Sequence, residues 1–212
     1  MCRVASPGRH GAISVGEVGR PRVPAPKRVG GEGEPEVFCA DEQTAIAVDV
    51  ERWQRLAGDV LRAEGVRGLA ELALIFIGEA EMAELNEDYM GKQGPTDVLS
   101  FPIDAAEAEI VLHNQPPSRG PDRSPPDPGD MPLLLGDVVV CPAVAAAQAS
   151  THAGTLDDEL ALLVVHGILH VLGHDHETAD QAVVMRAKEM ALLEEFHWHG
   201  NAPAGFRQEH AE

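Results

Sequence analysis

The chain is short of positive charge, of aromatic residues and of cysteine. Sixteen Lys and Arg stand against 35 Asp and Glu in 212 residues, a formal net charge of −19. Phosphate contacts need local positive charge, so a broad basic face for nucleic acid is disfavoured, although a short basic groove is not excluded. Five Phe, two Trp and one Tyr, 4% of the chain, are too few for an extended base-stacking platform. The three cysteines, Cys2, Cys39 and Cys141, are widely spaced and form no CxxC pair. They make neither a disulfide framework nor a zinc–thiolate site, and they suit a reducing cytosol, so a cytoplasmic location is expected. No apolar run approaches the roughly 18 residues of a membrane-spanning helix, and no compact apolar signal core opens the chain. A membrane is not expected among its partners.

What is present suffices for one ordinary domain with a real core: hydrophobic residues make up 44% of the chain. Residues 1–35 contain seven Gly, five Pro and six of the sixteen basic residues, without usable periodicity. They read as a disordered, solvated tail. The stretch "PPSRGPDRSPPDP", residues 116–128, has six prolines in thirteen positions and cannot be a helix interior or a central strand. It lies in a Pro-rich loop, 105–130, inserted between two strands of the domain at 36–200. A second tail is expected over 201–212.

Within the domain the hydrophobic period alternates between that of helices and that of strands. Apolar residues Val50, Trp53, Leu56, Ala57, Val60 and Leu61 predict a helix that stops at Gly65. "ELALIFIG" reads as a buried strand, "EAEMAELNEDYM" as a helix, and "DVLSFPI" and "LLLGDVVVC" as strands, the last with a bulge at Gly136. Pro142 opens a helix expected from Ala143 to about Ala153. Thr155 with Asp158 predicts a capped helix through "LDDELALLVVHGILHVL", apolar nearly all round and therefore buried. Thr178 with Gln181 opens a last helix to about Phe196. The expected class is α/β (α+β): one domain with a small mixed sheet packed against helices.

Four of the ten histidines fall within "HGILHVLGHDH", residues 166–176. His166 and His170 are four apart, so a helix presents both imidazoles on one face. His174, had the helix continued, would stand about 80° round from His166, a poor third vertex. Gly173 suits a left-handed helix stop, after which the chain turns back and His176 can approach the same point from another side. Three neutral imidazoles on zinc leave a fourth position for water, whose pKa falls to about 7. One zinc ion on His166, His170 and His176 is therefore expected, with catalytic character. Asp175 could orient a ligand imidazole through its outer N–H, and His174 reads as a turn residue. Metzincin peptidases share this ligand spacing as HExxHxxGxxH, with a glutamate base after the first histidine. Here that position is Gly167, which cannot accept a proton, and peptide hydrolysis by that route is disfavoured.

"LNEDYMGKQGPTDVLSFP" (85–102), "GDVVVCP" (136–142) and "HGILHVLGHDH" occur in this order. Together they resemble the YbeY family of zinc-dependent endoribonucleases, over roughly residues 36–196. The resemblance implies that His166, His170 and His176 bind the zinc and that single-stranded RNA is the substrate. It further implies a role at the small ribosomal subunit, in maturing the 3′ end of its 16S rRNA and in ribosome quality control. Family members commonly carry an arginine, thought to serve the RNA phosphate, directly after the tyrosine of the LNxxY stretch. Here Met90 stands there, and Lys92 is the candidate substitute, a point charge without the bidentate grip of a guanidinium. The residues name no general base. Two further readings stand beside the nuclease: a metallopeptidase, from the ligand spacing, and a non-catalytic ribosome assembly factor, from Met90 and the net charge.

Overall fold

The computed structural model describes residues 3–4, 33–103 and 132–208. The Pro-rich stretch and most of the basic tail lie outside the described residues, as do residues 209–212. Among the described residues the strands are β1 (Arg3–Val4), β2 (Glu36–Asp41), β3 (Ala70–Phe76), β4 (Val98–Pro102) and β5 (Leu133–Val140). The helices are α1 (Val50–Ala63), α2 (Glu79–Met90), α3 (Pro142–Gln148), α4 (Leu156–Val171) and α5 (Ala179–Phe196). None of them is long and apolar enough to cross a membrane.

The sheet runs β1-β4-β5-β3-β2. Four strands form its body; the two-residue β1 adds to the outer edge of β4 in parallel, Arg3 opposite Leu99. Strands β2, β3 and β5 are mutually parallel, and β4 is antiparallel to β5, so the sheet is mixed as expected. The bulge foreseen at Gly136 is a register shift: Glu71 faces Leu134 but Leu72 faces Gly136. The sequence reading assigned no strand to 36–41. This edge strand alternates poorly, with Phe38 exposed and Cys39 and Ala40 half-buried, and its order comes from pairing with β3.

Alternate residues of β3 (Ala70, Leu72, Leu74, Phe76) are buried. Leu72, Leu74 and Phe76 pack with Trp53, Leu56, Val60 and Leu61 of α1 and with α4 in one core. Helix α4 has every residue from Asp158 to Val171 buried, because it lies between the sheet and α5 and has no face left for water. On the other side of the sheet, α2 covers a smaller cluster of Ile77, Met82, Leu99, Val139 and Cys141.

Asp49 caps α1, its side chain accepting from the Arg52 N–H. Thr178 and Gln181 form a reciprocal capping box on α5. At α4 the Thr155 hydroxyl accepts from the Asp158 N–H and donates to the Asp158 carboxylate at 2.6 Å. Helix α3 stops at Gln148 rather than near Ala153. The residues beyond it turn instead, the Gly154 N–H bonding the Ala149 carbonyl. That turn directs the Ala153 N–H to the buried carboxylate of Glu159 at 3.1 Å.

Candidate metal centre

His166 and His170 stand one turn apart on α4, 1% and 3% exposed. Their Nε2 atoms face each other at 3.1 Å. Each outer nitrogen has a partner: His166 Nδ1 lies 2.5 Å from Glu189 Oε1 on α5, and His170 Nδ1 lies 3.0 Å from the main-chain carbonyl of His174. A carboxylate and a carbonyl accept, which assigns the hydrogen to each Nδ1 and leaves each Nε2 as the nitrogen able to ligate a metal. Nitrogens on a tetrahedral zinc, each at 2.0–2.1 Å, stand about 3.3 Å apart, close to the separation found here.

The exposed His176 completes the group. Its ring centroid lies 5.3 Å from that of His166 and 4.9 Å from that of His170. A ligand atom from each of the three falls within 4.8 Å of the others. Burial first, then the neighbouring His176, pushes the pKa of His166 down to about 3. Burial, His166 and His176 push that of His170 down to about 3. Both rings are held in the neutral form that a metal binds. The donor set therefore fits a metal ion of the zinc class, with Glu189 and the His174 carbonyl as the outer partners that fix ring and tautomer.

The turn that delivers His176 begins at Gly173, whose φ of 92° lies in the left-handed region that favours glycine. It is fastened by hydrogen bonds from the His174 N–H to the Leu169 carbonyl and from the Gly173 N–H to the His170 carbonyl, both 2.9 Å. The His174 side chain points away from the group, its Nε2 meeting Glu64 at 3.2 Å. Lys188 of α5 contacts both Glu64 carboxylate oxygens at 2.8 Å. The hydrogen bond from His174, opposed by burial and aided by Lys188, holds the Glu64 carboxyl below its usual range. The end of α1, the turn and α5 are tied together behind the carbonyl that orients His170. Asp175 accepts from the His176 N–H at 2.7 Å, while the outer nitrogens of His166 and His170 go to Glu189 and His174.

Gly167 answers the peptidase comparison in steric terms. A Cβ there would stand 2.6 Å from Val138 Cγ1 and 3.1 Å from Ser100 Oγ. The position after the first histidine faces the sheet, and the Ser100 hydroxyl donates to the Gly167 carbonyl at 3.1 Å. A glutamate could not be housed there without separating α4 from β4 and β5.

In the loop before β4, Asp97 is 2% exposed. It accepts from the Val98 N–H at 2.8 Å and from Gln148 Nε2 at 2.6 Å. The same amide donates to Glu159 at 3.0 Å, so this network joins β4, α3 and α4. Met90 packs against the apolar cluster under α2. Lys92 is half-buried on the loop after α2, its N–H bonded to the Asn86 carbonyl, on a different element from the three histidines. Sequence reasoning missed Glu189, Glu64 and Lys188. The only signal for Glu189 was an acid on the inward face of the last helix.

Residues 38–197 match the family model described as Endoribonuclease YbeY. The chain belongs to the YbeY family. It is 41% identical to the Endoribonuclease YbeY of Mycobacterium sp. (strain KMS) over 157 residues, 74% of this chain and 81% of that one. With the Endoribonuclease YbeY of Acidothermus cellulolyticus it shares 45% identity over 155 residues, 71% of this chain and 85% of the relative. A solution structure of TM1509 from Thermotoga maritima aligns over 83% of this chain and 99% of that chain, at 20% identity and a TM-score of 0.46. The three-histidine group lies wholly inside the span matched by the YbeY model.

Proposed function

We propose that this YbeY family member is a zinc-dependent endoribonuclease that cuts single-stranded RNA in the cytoplasm. Its substrate is the 3′ region of the small-subunit (16S) rRNA, in maturation and in ribosome quality control, with the small ribosomal subunit as its partner. The observation that carries the reading is the convergence of the Nε2 atoms of His166 and His170, 3.1 Å apart, with His176 beside them. Curated relatives bearing the name endoribonuclease give the reaction class. His166, His170 and His176 would hold the zinc ion, which would supply Lewis acidity toward water and a phosphoryl oxygen.

The protein's own part is positional. Glu189 and the His174 carbonyl hold the two buried imidazoles in one tautomer, and Gly173 sets the turn that brings His176 to them. With two ligands buried and His176 exposed, substrate approaches from the side of His176. Lys92 supplies charge to the RNA phosphate in place of the arginine absent at Met90. The steric demand at Gly167 weighs against a peptidase base.

Met90, packed into an apolar cluster, favours a second reading: a non-catalytic assembly factor for the small subunit. The test is cleavage of a short single-stranded RNA from the small-subunit 3′ end by the zinc-loaded chain and by His170→Ala, purified identically. Cutting by the first alone supports the nuclease. Equal cutting by both points to a contaminant, and cutting by neither moves the weight to the assembly factor.

A further inference from the structure

The family match ends at residue 197, but the ordered chain continues. Helix α5 closes with His199 in the left-handed conformation, φ 51°, and the Gly200 N–H reaches back to the Glu194 carbonyl at 2.8 Å. The segment after it, read from the sequence as a tail from residue 201, runs back across the body. Phe206 stacks edge-on to Trp198 with ring centroids 4.7 Å apart, and both pack against the main core. The Arg207 N–H then donates to the His152 carbonyl at 3.1 Å.

The next residue is Gln208. Its side-chain amide donates to Glu189 Oε2 at 2.5 Å and to the Arg186 carbonyl at 2.9 Å. Glu189 is 1% exposed, and its other oxygen takes the Nδ1 hydrogen of His166. One carboxylate oxygen thus meets a histidine of the group and the other meets the C-terminal segment. The terminal torsion of a glutamate is broad, so each hydrogen bond to the carboxylate narrows the direction in which it accepts from the imidazole, and such outer partners govern the affinity of a metal site.

We infer that Gln208 is a positioning residue of the metal centre: through Glu189 it fixes His166, so the C-terminal segment beyond the family's span sets how tightly this chain holds its metal. This deepens the metal-site reading and rests on it. Gln208 bonds Glu189 and the Arg186 carbonyl. It acts one hydrogen bond further out than Glu189, so its removal should cost less than the 10–100-fold typical of a direct outer partner, about three- to tenfold in metal affinity.

The experiment is Co²⁺ and Zn²⁺ binding to the full chain and to Gln208→Ala, each also in a Glu189→Gln background. Affinity is read by competition with a chromophoric chelator, and geometry by the visible absorption of bound Co²⁺. The expected result is a three- to tenfold weaker metal complex and an altered Co²⁺ spectrum for Gln208→Ala, with no further loss when Glu189 is already Gln. Unchanged affinity in Gln208→Ala overturns the proposal. So does an equal loss in both backgrounds, because Gln208 would then act through general stability rather than through Glu189. A native chain that takes up no Co²⁺, or takes it up equally as His170→Ala, overturns the metal-site reading itself and the proposal with it.

Discussion

Glu189 and His166 meet at 2.5 Å with both side chains 1% exposed, 23 residues apart in the chain and on different helices. The contact makes an acid of α5 part of a histidine site on α4. Replacing Glu189 by Gln keeps the volume and removes the charge. Zinc affinity, measured by chelator competition, should fall by about 10–100-fold. Glu189→Ala would leave the buried His166 N–H without this acceptor and should also cost about 1–3 kcal/mol in urea unfolding of the metal-free protein. Native zinc affinity in Glu189→Gln would show that the carboxylate has no part in the metal site.

Gly167 is set against the sheet so closely that even a methyl group collides. Alanine in a helix interior gains about 1 kcal/mol over glycine in propensity. The 2.6 Å approach to Val138 is overpacking, which costs about 1–3 kcal/mol. The second effect should win or balance the first, so Gly167→Ala should lower the midpoint of urea unfolding or leave it unmoved. A clearly raised midpoint would mean that α4 stands further from β5. Gly167→Glu should yield no peptidase, only poorly folded protein, as judged by the yield of soluble chain.

The side chain at position 90 sits on α2 and packs against the apolar cluster beneath that helix. If the RNA path runs past this end of α2, Met90→Arg adds one phosphate contact. The slope of log affinity against log salt for a single-stranded RNA should then steepen by about 0.7. Lys92→Ala should flatten it by a similar amount. Slopes unmoved by either variant would place the RNA elsewhere on the protein.

Asp158 links the start of α4 to the end of α5. Its carboxylate accepts from the Thr155 hydroxyl at 2.6 Å, from Trp198 Nε1 at 2.6 Å and from His197 Nε2 at 2.9 Å. Burial acts to raise its pKa, but these hydrogen bonds outweigh it and hold the carboxyl below the usual range. The folded pKa is therefore lower than the unfolded value near 3.9. The contribution to stability is present above that value and is lost as pH falls through the folded pKa. Asp158→Asn should lose about 1–3 kcal/mol at pH 7, measured by urea unfolding. It should also show a smaller drop in stability between pH 4 and pH 3 than the native chain. Equal drops in both proteins would mean that Asp158 is not the titrating group.

The helices and their stops were legible because each rests on near neighbours. The Thr178–Gln181 box, the Thr155 cap and the turn at Gly173 lie within four residues of what they act on. The i, i+4 histidines obey the same short period, so their grouping could be read before any fold was known. Helix α3 was read about five residues too long because alanines continue past Gln148, while the chain turns there to satisfy Glu159, a demand arising outside the helix. Strand β2 went unread for a related reason: its partner, β3, lies more than thirty positions further along the chain.

By itself, the sequence determined the helical periods, the caps, the glycine that ends α4 and the three imidazoles at metal-binding spacing. All of these follow from backbone geometry over one or two turns. Only the tertiary structure decided which nitrogen of each imidazole turns to an outer partner, because that depends on Glu189 and on the carbonyl of a residue past the helix stop. It alone brought Glu64 and Lys188 behind the turn, and Gln208 to the far oxygen of Glu189. Such pairings join residues whose separation along the chain carries no periodic signal, and packing of α4 between the sheet and α5 is what makes them neighbours.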